Sequence, residues 1–86
     1  MNYIEEINEK GTACLMTENE LNMLRMTGNV GLKLKNAHKA AQAARDELML
    51  VFKASGYSVD QLERMKDENG EHILCYGIAD IIRQEL

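Results

Sequence analysis

Val30, Leu34, Ala37, Ala41, Ala44, Leu48 and Val51 follow one another in alternating steps of four and three residues. That spacing keeps one stripe on one side of an α-helix for three heptads and gives a β-strand no consistent face. No proline interrupts the run, and Ser55-Gly56 offers a left-handed stop beyond it. The pattern therefore predicts a central helix over about 29–55, roughly 39 Å long at 1.5 Å per residue. A chain of 86 residues is one thin domain that cannot enclose such a helix easily. The stripe needs a hairpin partner from the same chain or a second copy of the protein.

The flanking segments read as shorter helices, so the expected fold is all-α: a single domain, 1–86, forming a small helical bundle or hairpin around the central helix. Tyr3, Ile4 and Ile7 mark a short amphipathic helix over 3–10, stopped by Gly11 and followed by a loop or short strand over 12–16. Thr17-Glu18-Asn19-Glu20 has the form of a capping box and predicts a new helix start. Gly28 and Gly31 fall within one turn and cost about 2 kcal/mol relative to alanine, which predicts a kink, a break or a close helix crossing there. Ser58-Val59-Asp60-Gln61 is a second capping box, opening a short helix that Asn69-Gly70 ends. Leu74, Ile78, Ile81, Ile82 and Leu86 predict a terminal helix over 71–86. The lesser alternative is α+β with a short strand near 72–76, because Asn-Gly is also a hairpin signal.

Composition narrows the class. Hydrophobic residues at 45% and charged residues at 28% place the chain among folded domains. The longest strictly apolar run, Leu48 to Phe52, is far short of a membrane span, and the first residues are acidic where a signal peptide would be basic. The expected location is cytoplasmic, with no membrane partner. Cys14 and Cys75 then read as free thiols in a reducing compartment.

The net charge of −4 is unevenly distributed. Glu5, Glu6, Glu9, Glu18 and Glu20 outweigh Lys10 at the start. Arg25, Lys33, Lys35, Lys39, Arg45 and Lys53 outweigh Asp46 and Glu47 in the middle, and acids dominate again after residue 54. Both acidic ends could fold back on the basic middle. Lys35, Lys39 and Gln42, with His38 and Arg45 along one edge, lie opposite the alanine-rich seam. Lys35, Lys39, Gln42 and Arg45 are the candidate binding residues for a phosphate-bearing ligand, Arg45 by bidentate hydrogen bonds and the lysines as point charges. A solvated helix face is the plainer reading, and Asp46 on that face weakens the field. Duplex nucleic acid is disfavoured, since the chain is acidic and the stripe lacks the aromatic, Asn and Arg density of a groove-reading helix.

The seam residues Val30, Leu34, Ala37, Ala41, Ala44, Leu48 and Val51 are the candidate interface of a homo-oligomer, most simply a dimer. Leu32, Met49 and Leu50 lie off this stripe and give the helix a second apolar surface. The six methionines suit core gap-filling, or else an adaptable binding surface. No Cys-x-x-Cys or His-x-x-x-His spacing is present, and Glu68 and His72 are separated by Asn69-Gly70, so no metal and no cofactor is expected. Gly28-Asn29-Val30-Gly31 lacks the spacing and the Lys-Ser/Thr ending of a phosphate loop. A small helical chain also leaves little volume for a concave catalytic site, and no enzyme activity is expected.

In size and charge the chain is similar to the small acidic helical proteins with which phages and mobile elements inhibit host machinery. That likeness implies an interaction protein that binds and modulates another protein. The alternative is a homo-oligomeric protein that sequesters a small anionic ligand such as a nucleotide or cyclic nucleotide.

Overall fold

A computed structural model of the protein describes residues 2–28 and 31–86. Within them the chain forms α1 (Tyr3–Met26), α2 (Leu32–Ser55), α3 (Val59–Arg64) and α4 (Ile78–Glu85). No strand is present among the described residues, and the fold is an all-α bundle built on one long hairpin.

α1 differs from the two short elements that its sequence suggests. It is one helix of 24 residues, with neither a stop at Gly11 nor a start at Thr17. Asn2 opens it, its Oδ1 accepting from the amides of Ile4 and Glu5 at 3.1 and 3.3 Å. Glu5 and Glu6 sit in the first turn, where carboxylates complement the helix dipole. Gly11 is buried beneath Ile78 of α4. The missing side chain permits that approach, which offsets the roughly 1 kcal/mol that glycine costs inside a helix. Thr17 does not cap. Its Oγ1 donates backwards to the carbonyls of Ala13 and Cys14, both at 3.0 Å, as mid-helix threonines do.

A break, not a kink, separates the two long helices. Gly28 and Gly31 have φ of 74° and 86°, the left-handed region that costs a side-chain-bearing residue strain. The central helix thus begins at Leu32 and not at 29; Asn29 and Val30, the first seam residue, lie outside the described residues. It ends as expected at Gly56, a left-handed cap with φ of 76°.

α1 and α2 pack along their length. The seam faces α1: Ala41 and Leu48 are buried, and Leu34, Ala37, Ala44 and Val51 are half-buried. Within the chain the seam is thus a hairpin contact. Ala41→Leu is therefore expected to destabilise by about 1–3 kcal/mol, since extra methylenes would push α1 away. Chemical denaturation checks this, and a variant as stable as the parent would show that the contact is slack.

The chain departs from its sequence pattern again after α3. The Ser58 capping box forms, with Ser58 Oγ accepting from the Gln61 amide at 3.1 Å and Gln61 Oε1 from the Ser58 amide at 2.8 Å. The helix then ends at Arg64, well before Asn69-Gly70. That pair turns the chain back on itself instead. Asp67 Oδ1 accepts from the amides of Asn69 and Glu71, and the Ile73 amide donates to the Met65 carbonyl at 3.1 Å. The strand alternative near 72–76 survives only as a single antiparallel bridge between Lys66 and His72. The terminal helix is accordingly short and starts at Ile78.

Ile78, Ile81 and Ile82 of α4 complete a core with Ile7, Cys14, Leu48, Met49, Phe52, Leu62 and Leu74. All these residues belong to the end of the hairpin that holds both chain termini. Beyond Glu18 and Arg45 the two long helices continue without α3 or α4, and among the described residues there Leu21 and Ala41 are the buried apolar ones. The molecule measures 45 × 25 × 21 Å: a base with a core and an arm of two helices projecting from it.

Candidate interaction surface

The four candidate ligand residues do not converge. Arg45 is held by two carboxylates, contacting Glu18 of α1 and lying 3.5 Å from Glu85 of α4. Gln42 Nε2 donates to Asp46 Oδ1 at 3.0 Å. Lys35 and Lys39 are exposed, and among the described residues neither lies within ion-pair distance of a carboxylate. Helical geometry sets Arg45 roughly 80–120° around the axis from these lysines. Its neutralised guanidinium fastens the hairpin to α4 and is not presented to an anion. The acidic ends do fold back as charge asymmetry suggested, and among the described residues they reach Arg45 of the basic segment; Glu47 of α2 pairs instead with Lys10 at 3.2 Å.

Lys10 and Arg83 both titrate above their ordinary values because they donate to carboxylates, Lys10 to Glu47 and Arg83 first to Glu63 and then to Asp60. These are exposed pairs of small energetic weight. Cys14 is buried, and desolvation raises its thiol above the usual range, so it is a core residue and not a nucleophile. His38 Nε2 lies 3.3 Å from an Arg25 guanidinium nitrogen, so this imidazole accepts from a cation. Among the described residues no group of three or more His, Cys, Asp or Glu is placed to hold a metal ion, and no helix is long and apolar enough to cross a membrane.

Two features escaped the sequence reading. One is a depression of about 400 Å³ beside α4, floored by Leu74 and rimmed by Glu63, His72, Cys75, Tyr76 and Arg83. Several of its polar groups are already engaged. Arg83 contacts Glu63 and Asp60, a His72 ring nitrogen lies 3.0 Å from the Glu63 carbonyl, and the Cys75 amide donates to Asn8 Oδ1 at 2.9 Å. Asn8 Nδ2 in turn donates to the Ile73 carbonyl at 2.9 Å, so Asn8 clamps this loop to α1. The Asn-Gly turn signal, followed through, would have found the loop.

The other is the outer face of α1. Ile7, Cys14 and Leu21 point into the molecule, while Met16, Met23 and Met26 are 69%, 60% and 86% exposed. Steps of seven and three place these methionines on one side of α1, away from α2, with Thr12 and Asn19 among them. The methionines thus divide: Met49 is buried in the core and Met65 packs against it, whereas the three on α1 form a surface stripe. Glu5, Glu9 and Glu20 border the stripe and are exposed. Reading α1 as two short helices hid this alignment, because the stripe spans the supposed break.

Compared with known proteins, the chain matches no family model, no curated protein and no solved structure.

Proposed function

We propose that the protein is a small helical interaction protein that binds another protein through the outer face of α1 and thereby modulates it. The observation that carries this reading is the stripe of Met16, Met23 and Met26, three flexible apolar side chains left in water on a helix whose other side is already packed. Exposed methionines adapt to varied apolar contours, and a surrounding rim of carboxylates selects the partner by charge. With Glu5, Glu9 and Glu20 along its edge, the stripe suits an apolar groove or helix edged with lysine or arginine. Anionic-ligand binding has less support, because Arg45 is engaged and Gln42 is bonded to Asp46, which leaves two of the four candidate residues, Lys35 and Lys39, for an anion.

A photo-crosslinking residue placed at Met16 or Met23 in the producing cell, with one at Asp67 as control, tests the proposal. Both α1 positions are expected to capture the same protein and Asp67 not to. Met16→Glu with Met23→Glu should weaken that capture at least about a hundredfold, in line with the loss of two central apolar anchors. Glu5→Gln, Glu9→Gln and Glu20→Gln together should slow association, with a smaller effect on dissociation. Capture that survives the double methionine change, or that arises equally from Asp67, would remove the α1 surface from the function.

A further inference from the structure

We infer that the outer face of α2 is a self-association surface, and that two copies of the chain pair along it antiparallel about a two-fold axis. The surface is separate from the methionine stripe of α1, so either proposal can fail alone. Leu32 and Leu50 are 72% and 70% exposed. They stand five full turns apart, on the same side of α2 and about 27 Å from one another. Asn36, Lys39, Ala43 and Asp46 lie between them on the same stripe, again in steps of four and three, and all are exposed. α1 packs on the opposite side, so this second seam is uncovered among the described residues.

The order of side chains along the stripe says what covers it. A two-fold axis crossing α2 at the level of Ala41 sets Leu32 opposite the partner's Leu50. It also sets Lys39 opposite the partner's Ala43, whose small side chain lets the backbones approach. Lys35 and Lys39 then straddle the partner's Asp46, which lies level with Asn36. Symmetry repeats every pair, as an isologous contact requires. The Gln42 amide occupies one Asp46 oxygen, and a carboxylate has capacity for more donors. A parallel pairing in register would instead set Lys39 against Lys39 and Asp46 against Asp46, which like charge opposes. Antiparallel pairing thus brings Lys35 and Lys39 to the partner's Asp46, whereas parallel pairing in register brings like charges together.

The test uses the full chain carrying Cys75→Ser, which removes the exposed thiol, with Leu32→Cys and Leu50→Cys as separate variants. Mild oxidation of the two variants mixed is expected to give interchain disulfide in several-fold excess over either alone. Sedimentation equilibrium of the unmodified protein should show a species of twice 9.7 kDa. Leu32→Glu with Leu50→Glu should return it to monomer with unchanged helical circular dichroism, since both residues are exposed. Asp46→Lys should weaken the dimer by about tenfold, and adding Lys39→Glu should restore it. A strict monomer at millimolar concentration, a dimer indifferent to both leucine changes, or cross-linking of Leu50→Cys alone in excess of the mixture would overturn the inference.

Discussion

Gly11→Ala is expected to lower stability by about 1–2 kcal/mol, and Gly11→Leu to abolish cooperative unfolding altogether. Alanine normally stabilises a helix interior by about 1 kcal/mol over glycine, so helix propensity alone predicts the opposite sign. The contact with α4 decides against it. A Cβ at position 11 would stand 2.5, 2.6 and 2.8 Å from Cδ1, Cγ1 and Cγ2 of Ile78. Three overlaps with one β-branched side chain cannot be relieved by turning its tip, and Ile78 is fully buried with nowhere to move. α4 would have to lift from α1. Urea denaturation of Gly11→Ala, alone and with Ile78→Ala, checks the mechanism as well as the size. The pair should be non-additive by more than about 0.5 kcal/mol, because the smaller residue at 78 makes room for the new methyl. A Gly11→Ala protein more stable than the parent would mean that the two helices are not in close contact.

Leu48→Ala is expected to cost about 3–4 kcal/mol, the usual range for a fully buried leucine whose site cannot collapse. Leu48 has no exposed surface and belongs to both the hairpin seam and the core completed by α4. For a domain of this size that cost approaches the whole stability of roughly 5 kcal/mol. The variant should be largely unfolded at 37 °C by circular dichroism. Leu50→Ala, two residues on but facing water, should by contrast change the stability of the monomer by no more than about 0.5 kcal/mol. Similar losses at the two positions would place the seam on the wrong side of α2.

Fold class and the course of α2 were legible because a heptad stripe and a glycine stop are local signals. Gly56 and the Ser58 capping box behave as their residue types dictate. The misreadings share one physical origin, a tertiary contact that overrides a local preference. Gly11 reads as a helix stop until Ile78 lies over it, and Thr17 reads as a cap until a helix already exists upstream to accept its hydroxyl. Asn69-Gly70 was a true turn signal set against a sequence that makes a poor strand, and the outcome is a loop with one bridge, pinned by Asn8 from the other end of the chain. The charge pattern told which residues are basic but not that Arg45 lies between Glu18 and Glu85. The methionine stripe was invisible for as long as α1 was divided in two.

The clamp from Asn8 to Ile73 and Cys75, and the seat of Ile78 over Gly11, join segments more than sixty residues apart in sequence. The arm, by contrast, is made by neighbours across one turn. During synthesis, which proceeds at about 5–20 residues per second, the hairpin is complete before any of α4 has been made. For those seconds Ile7, Cys14, Leu48 and Phe52 present an open apolar trough at the foot of the hairpin, and a nascent chain in that state offers chaperones a surface that the finished protein conceals. Premature termination anywhere between residues 57 and 77 would leave the trough open permanently, making such fragments candidates for rapid proteolytic clearance.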